Sequence, residues 1–240
     1  MNNLILIRHG QSVWNLERRF TGWADVKLTE HGKSEAKYAG LLIKELNIEF
    51  NNYFTSVQNR AISTLEIILD VLNKKNSEIK KAWELNERHY GALTGLNKDE
   101  MIKEHGEKQV KIWRRSFKVP PPPMKESSPN HPSKNKAYAN IPIDKIPNAE
   151  SLENTFDRVI PYYEKNIKPL LFSNKNVLIA AHGNSLRALC KKLLNISNKK
   201  IIDFEIPTSN PLLINFTKNL EVKNYKYLDS KRAKNIFFNV

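Results

Sequence analysis

The chain has a single cysteine, comparatively few acidic residues and no long apolar run. Cys190 has no second cysteine to pair with, which excludes an internal disulfide. The longest apolar runs, residues 4–7 and 177–181, fall far short of the roughly 20 residues that a membrane helix needs. The first residues show no secretory signal pattern, so we expect a cytoplasmic location and no membrane partner.

Acidic residues are outnumbered, with 25 Asp and Glu against 39 Lys and Arg and a net charge of +14. Such a balance is compatible with nucleic acid, an acidic membrane surface or small anionic substrates. The lysines are scattered, without a basic stripe interleaved with aromatics and without a nucleic-acid-binding motif. A basic nucleic-acid-binding protein is therefore the weaker alternative, and it predicts a steeply salt-dependent affinity.

Apolar periodicity predicts alternating strands and helices. Hydrophobic residues make up 40% of the 240, enough for a sizeable core. The predicted strands are residues 4–7, 52–54 and 177–181, with a terminal pair at 212–216 and 222–227. The predicted helices are residues 29–46, 57–72, 98–117, 151–166 and 185–194, the first capped by Thr29 and the second by Thr55 and Ser56. This order predicts an α/β fold with a mainly parallel sheet and helices on both faces.

Two segments stand apart from this alternation. The proline run 120–123 ends the helix before it and begins a polar loop, so residues 118–148 are predicted to be a loop insertion in a single domain spanning 1–240. The tail 229–240 shows no clear pattern and is a candidate mobile segment.

His9 and His182 occupy matched positions at the ends of two predicted strands. Each follows an apolar strand, precedes a glycine and is followed by a serine, Ser12 or Ser185, that can cap a helix. Carboxyl ends of parallel strands are where sites form in such sheets, and helix N-termini there attract anions. A lone histidine at a strand end is as often a core or capping residue, but two matched strand ends favour a site.

Arg8 decides between the chemistries that two histidines could serve. A metal site would require a third His, Cys or carboxylate ligand and would gain nothing from a neighbouring guanidinium. A site for a phosphoryl group would gain from the neighbouring guanidinium, because arginine neutralises the phosphoryl oxygens through two parallel hydrogen bonds. The chain has no Walker loop and no carboxylate cluster for Mg²⁺, so a neutral imidazole is the predicted nucleophile.

Six short motifs carry a family resemblance. They are LIRHGQSVWN at residues 6–15, FTGWADVKLT at 20–29, LNERHYG at 85–91, GLNK at 95–98, WRRS at 113–116 and AHGNSLR at 181–187. In this order, over about residues 4–212, they resemble the 2,3-bisphosphoglycerate-dependent phosphoglycerate mutases of the histidine phosphatase superfamily. The Arg-His-Gly triplet is shared by the superfamily, whereas the motifs around Glu87 and Trp113 are similar to the mutase branch.

The resemblance implies roles for the catalytic residues. His9 is the expected nucleophile, and Glu87 the acid and base for the substrate hydroxyl. Arg8, Arg60 and His182 are expected to hold the transferring group. The implied substrate-binding residues are Asn15, Thr21, Gly22, Arg88, Tyr90, Lys98, Arg114, Arg115, Gly183 and Asn184. From the residues alone, Glu87 could equally be a surface carboxylate paired with Arg88 or Lys98, and Arg114 and Arg115 a solvated helix face.

The resemblance also implies the reaction and its setting. It implies interconversion of 3-phosphoglycerate and 2-phosphoglycerate, in glycolysis and gluconeogenesis, through a phosphohistidine and 2,3-bisphosphoglycerate. Bisphosphoglycerate would prime the enzyme, no metal would be needed, and a homodimer or homotetramer is expected. The alternative within the superfamily is a histidine phosphatase, in which water takes the phosphoryl group from His9; Lys98, Arg114 and Arg115 argue against it.

One position departs from the family pattern. The family commonly has Ile-Pro-Thr-Gly where this chain has Ile206-Pro207-Thr208-Ser209. If the backbone needs a positive φ there, we expect Ser209 to be strained.

Overall fold

The structure is a computed structural model that describes residues 2–233. One sheet contains six strands, β1 Asn2–Arg8, β2 Asn52–Thr55, β3 Ile79–Lys81, β4 Val177–Ala181, β5 Leu212–Phe216 and β6 Val222–Tyr227. The α-helices are α1 Val13–Leu16, α2 Glu30–Lys44, α3 Asn59–Val71, α4 Lys98–His105, α5 Glu107–Arg115, α6 Leu152–Tyr162, α7 Lys168–Phe172 and α8 Gly183–Leu193.

The sheet runs in the order β3-β2-β4-β1-β5-β6. The pairings β1 with β4, β2 with β4 and β2 with β3 are parallel, and β5 and β6 add an antiparallel edge. This confirms the predicted α/β fold with a mainly parallel sheet. Strand β1 lies inside the sheet, between β4 and β5. Six of its seven residues are buried, as expected for a strand covered on both faces.

Alternate residues of β1 contribute to two separate cores, as a period of two requires. Leu4 and Leu6 pack with α6 and α8 on one face, whereas Ile5 and Ile7 pack with α2 and α3 on the other. Burial of each aliphatic side chain stabilises the fold by about 1.5–3 kcal/mol. The helices on the two faces thus hold β1 in place and, with it, the residues that follow its carboxyl end.

Several predicted elements differ in detail from those in the structure. Helix α3 begins at Asn59 with Gln58 as N-cap, because Thr55 ends β2 and donates its hydroxyl to Ala180 O, 2.8 Å away. The predicted helix 98–117 is two helices, α4 and α5, separated by Gly106 at φ 80°. The predicted strands did not include β3, a three-residue strand with two exposed lysines at the sheet edge. Helix α8 begins at Gly183, two residues earlier than predicted, with His182 as N-cap.

The predicted helix 151–166 also differs. Ser151 caps α6 as expected, but the chain then passes through a π-helical turn, Tyr163–Ile167, into α7. Pro169 explains the shift, because it has no N–H to donate to the carbonyl four residues earlier.

Residues 118–148 contain three short 3-10 helices, Pro132–Lys134, Lys136–Tyr138 and Ile143–Lys145. Tyr138 anchors the segment, since its buried hydroxyl contacts Trp23 O and accepts from Gln58 Nε2 at 3.1 Å. Of the candidate mobile tail, Ser230–Arg232 forms a 3-10 helix and Arg232 donates to Thr208 O and Ser209 O; residues 234–240 lie outside the described residues. No helix within 2–233 has both the length and the apolar character to cross a membrane.

Candidate active site

The carboxyl ends of two neighbouring strands, β1 and β4, bring the two histidines together. Arg8 ends β1 beside Ala181 at the end of β4, and His9 N donates to Ala181 O at 2.9 Å. The ring centroids of His9 and His182 are 5.1 Å apart. The fold therefore brings the two strand-end histidines close together, as the sequence predicted.

His9 is held as a neutral imidazole with a defined tautomer. Its Nδ1 lies 2.7 Å from Gly10 O, which can only accept, so Nδ1 carries the hydrogen. Arg60 Nε donates to His9 Nε2 at 3.3 Å, which requires a lone pair on Nε2. Burial, reinforced by the charges of Arg60 and Arg8, lowers the pKa of His9 well below its usual value. Nε2 is thus an unprotonated nucleophile at neutral pH.

His182 is fully buried behind His9. Its Nε2 lies 2.7 Å from Ser56 Oγ, the residue after β2, while Nδ1 has no partner within residues 2–233. Burial and the charge of Arg60 lower the pKa of His182 well below its usual value. Ser56 belongs to the predicted cap of α3, but in the structure it orients His182 instead.

Two arginines frame His9, Arg60 fully buried and Arg8 half-buried. Arg60, the second residue of α3, is 1% exposed and also donates to Gly22 O at 2.8 Å and Ala24 O at 2.9 Å. Gly22 has a φ of +53°, a conformation that favours glycine and aims its carbonyl at Arg60. These bonds fix Arg60 so that its charge meets the group that His9 would receive.

Arg8 is held by a backbone carbonyl from a distant part of the chain. Its Nη1 donates to Ile206 O at 3.0 Å, and its Nε is buried without a hydrogen-bond partner among the described residues. A buried unpaired donor is costly, so an anion that accepts from Nε would stabilise this arrangement.

Glu87 is almost buried and points one oxygen at the cavity. Its Oε1 accepts from the backbone N–H of Arg88 at 2.8 Å and of Asn184 at 3.1 Å. Its Oε2 carries no hydrogen bond within the described part of the chain. Glu87 is 9% exposed and pairs with neither Arg88 nor Lys98, so the surface ion-pair interpretation of this residue was wrong. A carboxylate held through one oxygen is suited to moving a proton with the other.

Cations form the opposite wall of the cavity. Lys98 Nζ donates to Arg19 O at 2.8 Å, and burial together with the charges of Arg114, Arg8 and Arg18 lowers its pKa to about 8. Tyr90 lines the same cavity. Burial raises the pKa of Tyr90, but the charges of Arg88 and Arg114 lower it to about 8.

Arg114 and Arg115 end α5 and face the same cavity. Arg115 pairs with Glu205, and burial with the charge of Arg114 lowers the pKa of Arg115 to about 10. These two arginines are therefore not a solvated helix face.

One cavity contacts most of the predicted site residues. The predicted residues that line it are Arg8, His9, Asn15, Thr21, Gly22, Arg60, Glu87, Tyr90, Lys98, Arg114, Arg115, Gly183 and Asn184. Two do not line it: His182 lies behind His9, and Arg88 lies behind Tyr90, with its guanidinium 4.7 Å from the ring centroid. Arg88 also donates to Arg114 O at 2.7 Å, so it supports the wall.

Sequence reasoning missed five residues that line the cavity, Arg19, Phe20, Arg187, Glu205 and Ile206. Arg187 had a detectable signal, because it follows Asn184 by three residues and so shares its helix face. Glu205 and Ile206 had none, since they reach the site through a turn far along the chain.

The charge of the cavity indicates its ligand class. Within residues 2–233, seven basic side chains and two acidic ones line it. The same residues contain no group of three or more His, Cys, Asp or Glu placed to hold a metal ion. A neutral nucleophile surrounded by fixed cations, with one carboxylate for proton transfer, is suited to transferring a phosphoryl group.

The comparisons with known proteins agree with this chemistry. The model of a family described as "Histidine phosphatase superfamily (branch 1)" matches residues 4–131 and 124–222. A 2,3-bisphosphoglycerate-dependent phosphoglycerate mutase of Pelagibacter ubique (strain HTCC1062) is 52% identical over 236 residues, which cover 98% of this chain and 99% of the relative. The chain belongs to this mutase family of the histidine phosphatase superfamily.

Other members of the mutase family are similarly close. A protein of the same name from Hydrogenobaculum sp. (strain Y04AAS1) is 50% identical over 228 residues, 95% of this chain and 92% of the relative. Among solved structures, a mycobacterial glucosyl-3-phosphoglycerate phosphatase has a TM-score of 0.67 at 18% identity and covers 95% of this chain and 97% of that one. At that identity the likeness supports the fold alone.

Proposed function

We propose that this chain interconverts 3-phosphoglycerate and 2-phosphoglycerate through a phosphohistidine on His9 and 2,3-bisphosphoglycerate. Membership of the mutase family supports the reaction. One observation carries it: the cavity that holds the His9 nucleophile also has a second cationic group, Lys98, Arg114 and Arg115. A ligand with a phosphate at each end needs both, whereas simple hydrolysis of a phosphate ester needs only the first.

His9 Nε2 forms the new bond to phosphorus as the ester P–O bond breaks. Arg8 and Arg60, which line the cavity, stabilise the charge on the phosphoryl oxygens during this transfer, and His182 supports the His9 ring from beside it. Glu87 Oε2 donates a proton to the leaving oxygen. In the reverse direction, Glu87 Oε2 removes the proton from the substrate hydroxyl that attacks phosphohistidine, and His9 leaves as the neutral imidazole with which it began.

The residues present fit 2,3-bisphosphoglycerate. The unpaired buried Nε of Arg8 and the excess of cations both call for an anion. Lys98, Arg114 and Arg115 would hold the end that is not reacting, with Tyr90 and Thr21 beside them. When bound, bisphosphoglycerate supplies the phosphoryl group that primes His9. No metal has a part in this scheme.

The remaining parts of the proposal concern the setting. We propose a single domain over residues 1–240, with 118–148 as an inserted loop, that acts in the cytoplasm in glycolysis and gluconeogenesis. It would form a homodimer or homotetramer and take no nucleic-acid or membrane partner. Light scattering after size exclusion tests the assembly, and a salt titration with duplex DNA tests the nucleic-acid alternative.

An assay coupled to consumption of 2-phosphoglycerate tests the function. We expect turnover of 3-phosphoglycerate to rise on addition of bisphosphoglycerate and to persist in a metal chelator when the coupling enzyme is added afterwards. His9→Ala should show neither turnover nor acid-labile label from radioactive bisphosphoglycerate, whereas the exposed-histidine control His105→Ala should show both. Stoichiometric labelling of His9→Ala would refute the nucleophile, and release of inorganic phosphate without 2-phosphoglycerate would indicate a phosphatase.

A further inference from the structure

Arg187 is a buried cation without a carboxylate partner. It lies on α8, is 3% exposed and lines the cavity, yet no Asp or Glu within residues 2–233 forms an ion pair with it. Its Nη1 donates to Asn184 Oδ1 at 2.7 Å, its Nη2 donates to Ile201 O, and its Nε has no hydrogen-bond partner. Removing a guanidinium from water without a counter-ion is costly, so stability alone does not account for it.

The bond from Arg187 determines which way the Asn184 amide faces. A guanidinium has donors only, so the atom of Asn184 that meets it must be the oxygen, Oδ1. The Nδ2 group then faces Tyr90 Oη, 3.2 Å away, at the cavity wall. With the opposite orientation Asn184 would present an acceptor to the cavity and repel an anion. Asn184 also donates its backbone N–H to Glu87, a bond that replacement of its side chain leaves in place.

The second bond from Arg187 connects α8 to the turn Lys200–Ile202. That segment leads to Ile206, whose carbonyl holds Arg8. The same guanidinium therefore supports both sides of the cavity, and a lysine at this position, with a single nitrogen, could not reproduce the two-pronged contact.

We propose that Arg187 is a positioning residue that keeps the Asn184 amide donating into the cavity, and thereby sets the affinity for the phosphorylated substrate. This inference rests on the proposed function, because it assumes an anionic ligand at Asn184. Arg187 acts through Asn184, so removing either side chain should remove the same contribution to binding.

A double-mutant cycle tests this dependence. We expect Arg187→Met and Asn184→Ala each to raise KM and the calorimetric Kd for 3-phosphoglycerate about tenfold, with little change in kcat. The double variant should show about the same tenfold effect instead of about a hundredfold, because the two residues contribute one interaction. Lys192→Met removes an exposed cation from the same helix and is the charge-matched control.

Two further variants separate the role of the Asn184 amide from its size and replace Arg187→Met if that protein does not fold. Asn184→Asp keeps an acceptor for Arg187 but has no donor for the substrate, so it should weaken binding more than Asn184→Ala. If Arg187→Met does not fold, Arg187→Gln replaces it, since Gln stays polar but can present either nitrogen or oxygen to Asn184. A cycle in which the two effects multiply, or an Arg187 variant that lowers Tm while KM stays at the wild-type value, would overturn the positioning role. Wild-type protein that binds no 3-phosphoglycerate would instead overturn the proposed function.

Discussion

The floor of the cavity, around His9 and His182, differs from the opposite wall, formed by Lys98, Arg114 and Arg115. At the floor both imidazole rings and the guanidinium of Arg60 are buried and held by backbone or neighbouring side-chain bonds, as with Nδ1 of His9 on Gly10 O. At the wall the side chains are only partly buried, and this burial together with repulsion from neighbouring arginines lowers the pKa of Lys98 and Arg115. Bond formation at His9 needs fixed atoms, whereas a ligand that must turn around needs charge that is less rigidly placed.

The largest effect should come from the proton-transfer residue of the floor. Glu87→Gln keeps the shape and the bonds to the backbone but cannot exchange a proton, so kcat should fall about 10²–10⁴-fold with KM little changed. Glu78→Gln alters an exposed carboxylate before β3 and should have wild-type kinetics. If the Glu87 variant lost thermal stability but kept its kcat, this carboxylate would have a structural role and no part in proton transfer.

Removing charge from the wall should instead affect retention of the ligand. In Arg114→Ala with Arg115→Ala, each lost charge-assisted contact weakens bisphosphoglycerate binding about tenfold or more, so turnover should depend strongly on added bisphosphoglycerate. The mutase-to-phosphatase ratio, measured across bisphosphoglycerate concentrations, should fall. Lys108→Ala with Lys118→Ala removes the same charge from exposed positions and should leave the ratio unchanged. An unchanged ratio in the arginine variant would show that Arg114 and Arg115 do not retain the ligand. The functional difference proposed between floor and wall would then be wrong.

The wall should also respond to pH within an accessible range. The pKa of Lys98 is about 8, so its charge is present below that pH and is lost as the pH rises through it. An anion binds the charged form, so affinity for 3-phosphoglycerate should be highest below about pH 8 and decline above it, by up to about tenfold. Deprotonation of Tyr90, whose pKa is also about 8, acts in the same direction. Lys98→Met should flatten part of the Kd profile and Tyr90→Phe the rest; a decline unaffected by both would assign the titration to another group.

The smallest effect should come from the frame that supports the floor. Ser209 has a φ of 42°, its hydroxyl is buried without a partner among the described residues, and its N–H donates to Arg8 O at 2.8 Å. The condition on which strain was predicted at this position, a positive φ, is therefore met. Ser209→Gly should stabilise the fold by about 1 kcal/mol, the positive-φ cost less the extra freedom of glycine, and raise Tm by roughly 2–4 °C.

Ser209→Ala separates the two causes. It removes the unpaired hydroxyl but keeps the Cβ at a positive φ, so calorimetry should place its Tm between those of wild type and Ser209→Gly. A Ser209→Gly protein less stable than wild type would show that the hydroxyl has a partner that outweighs the backbone cost.

The success of sequence reasoning differs between the same two regions. The floor could be predicted because Arg8, His9 and His182 directly follow apolar strands, and the ends of parallel strands share one edge of the sheet. The wall depended on the family resemblance, since Arg114 and Arg115 at the end of a helix look the same whether they face solvent or a cavity. Helix boundaries failed where one residue changed the hydrogen-bond ladder, as at Gly106 and Pro169.

By itself the sequence determined the α/β alternation, the two strand-end histidines and the nature of the ligand, because these depend on local patterns of apolar, polar and charged side chains. Tertiary structure alone decided the tautomer of His9, the burial of Glu87, the place of Arg88 behind Tyr90 and the inclusion of Arg187, Glu205 and Ile206. The reason is distance along the chain: Arg8 meets the carbonyl of Ile206 across 198 residues, and no local pattern specifies which backbone oxygen a buried guanidinium will reach.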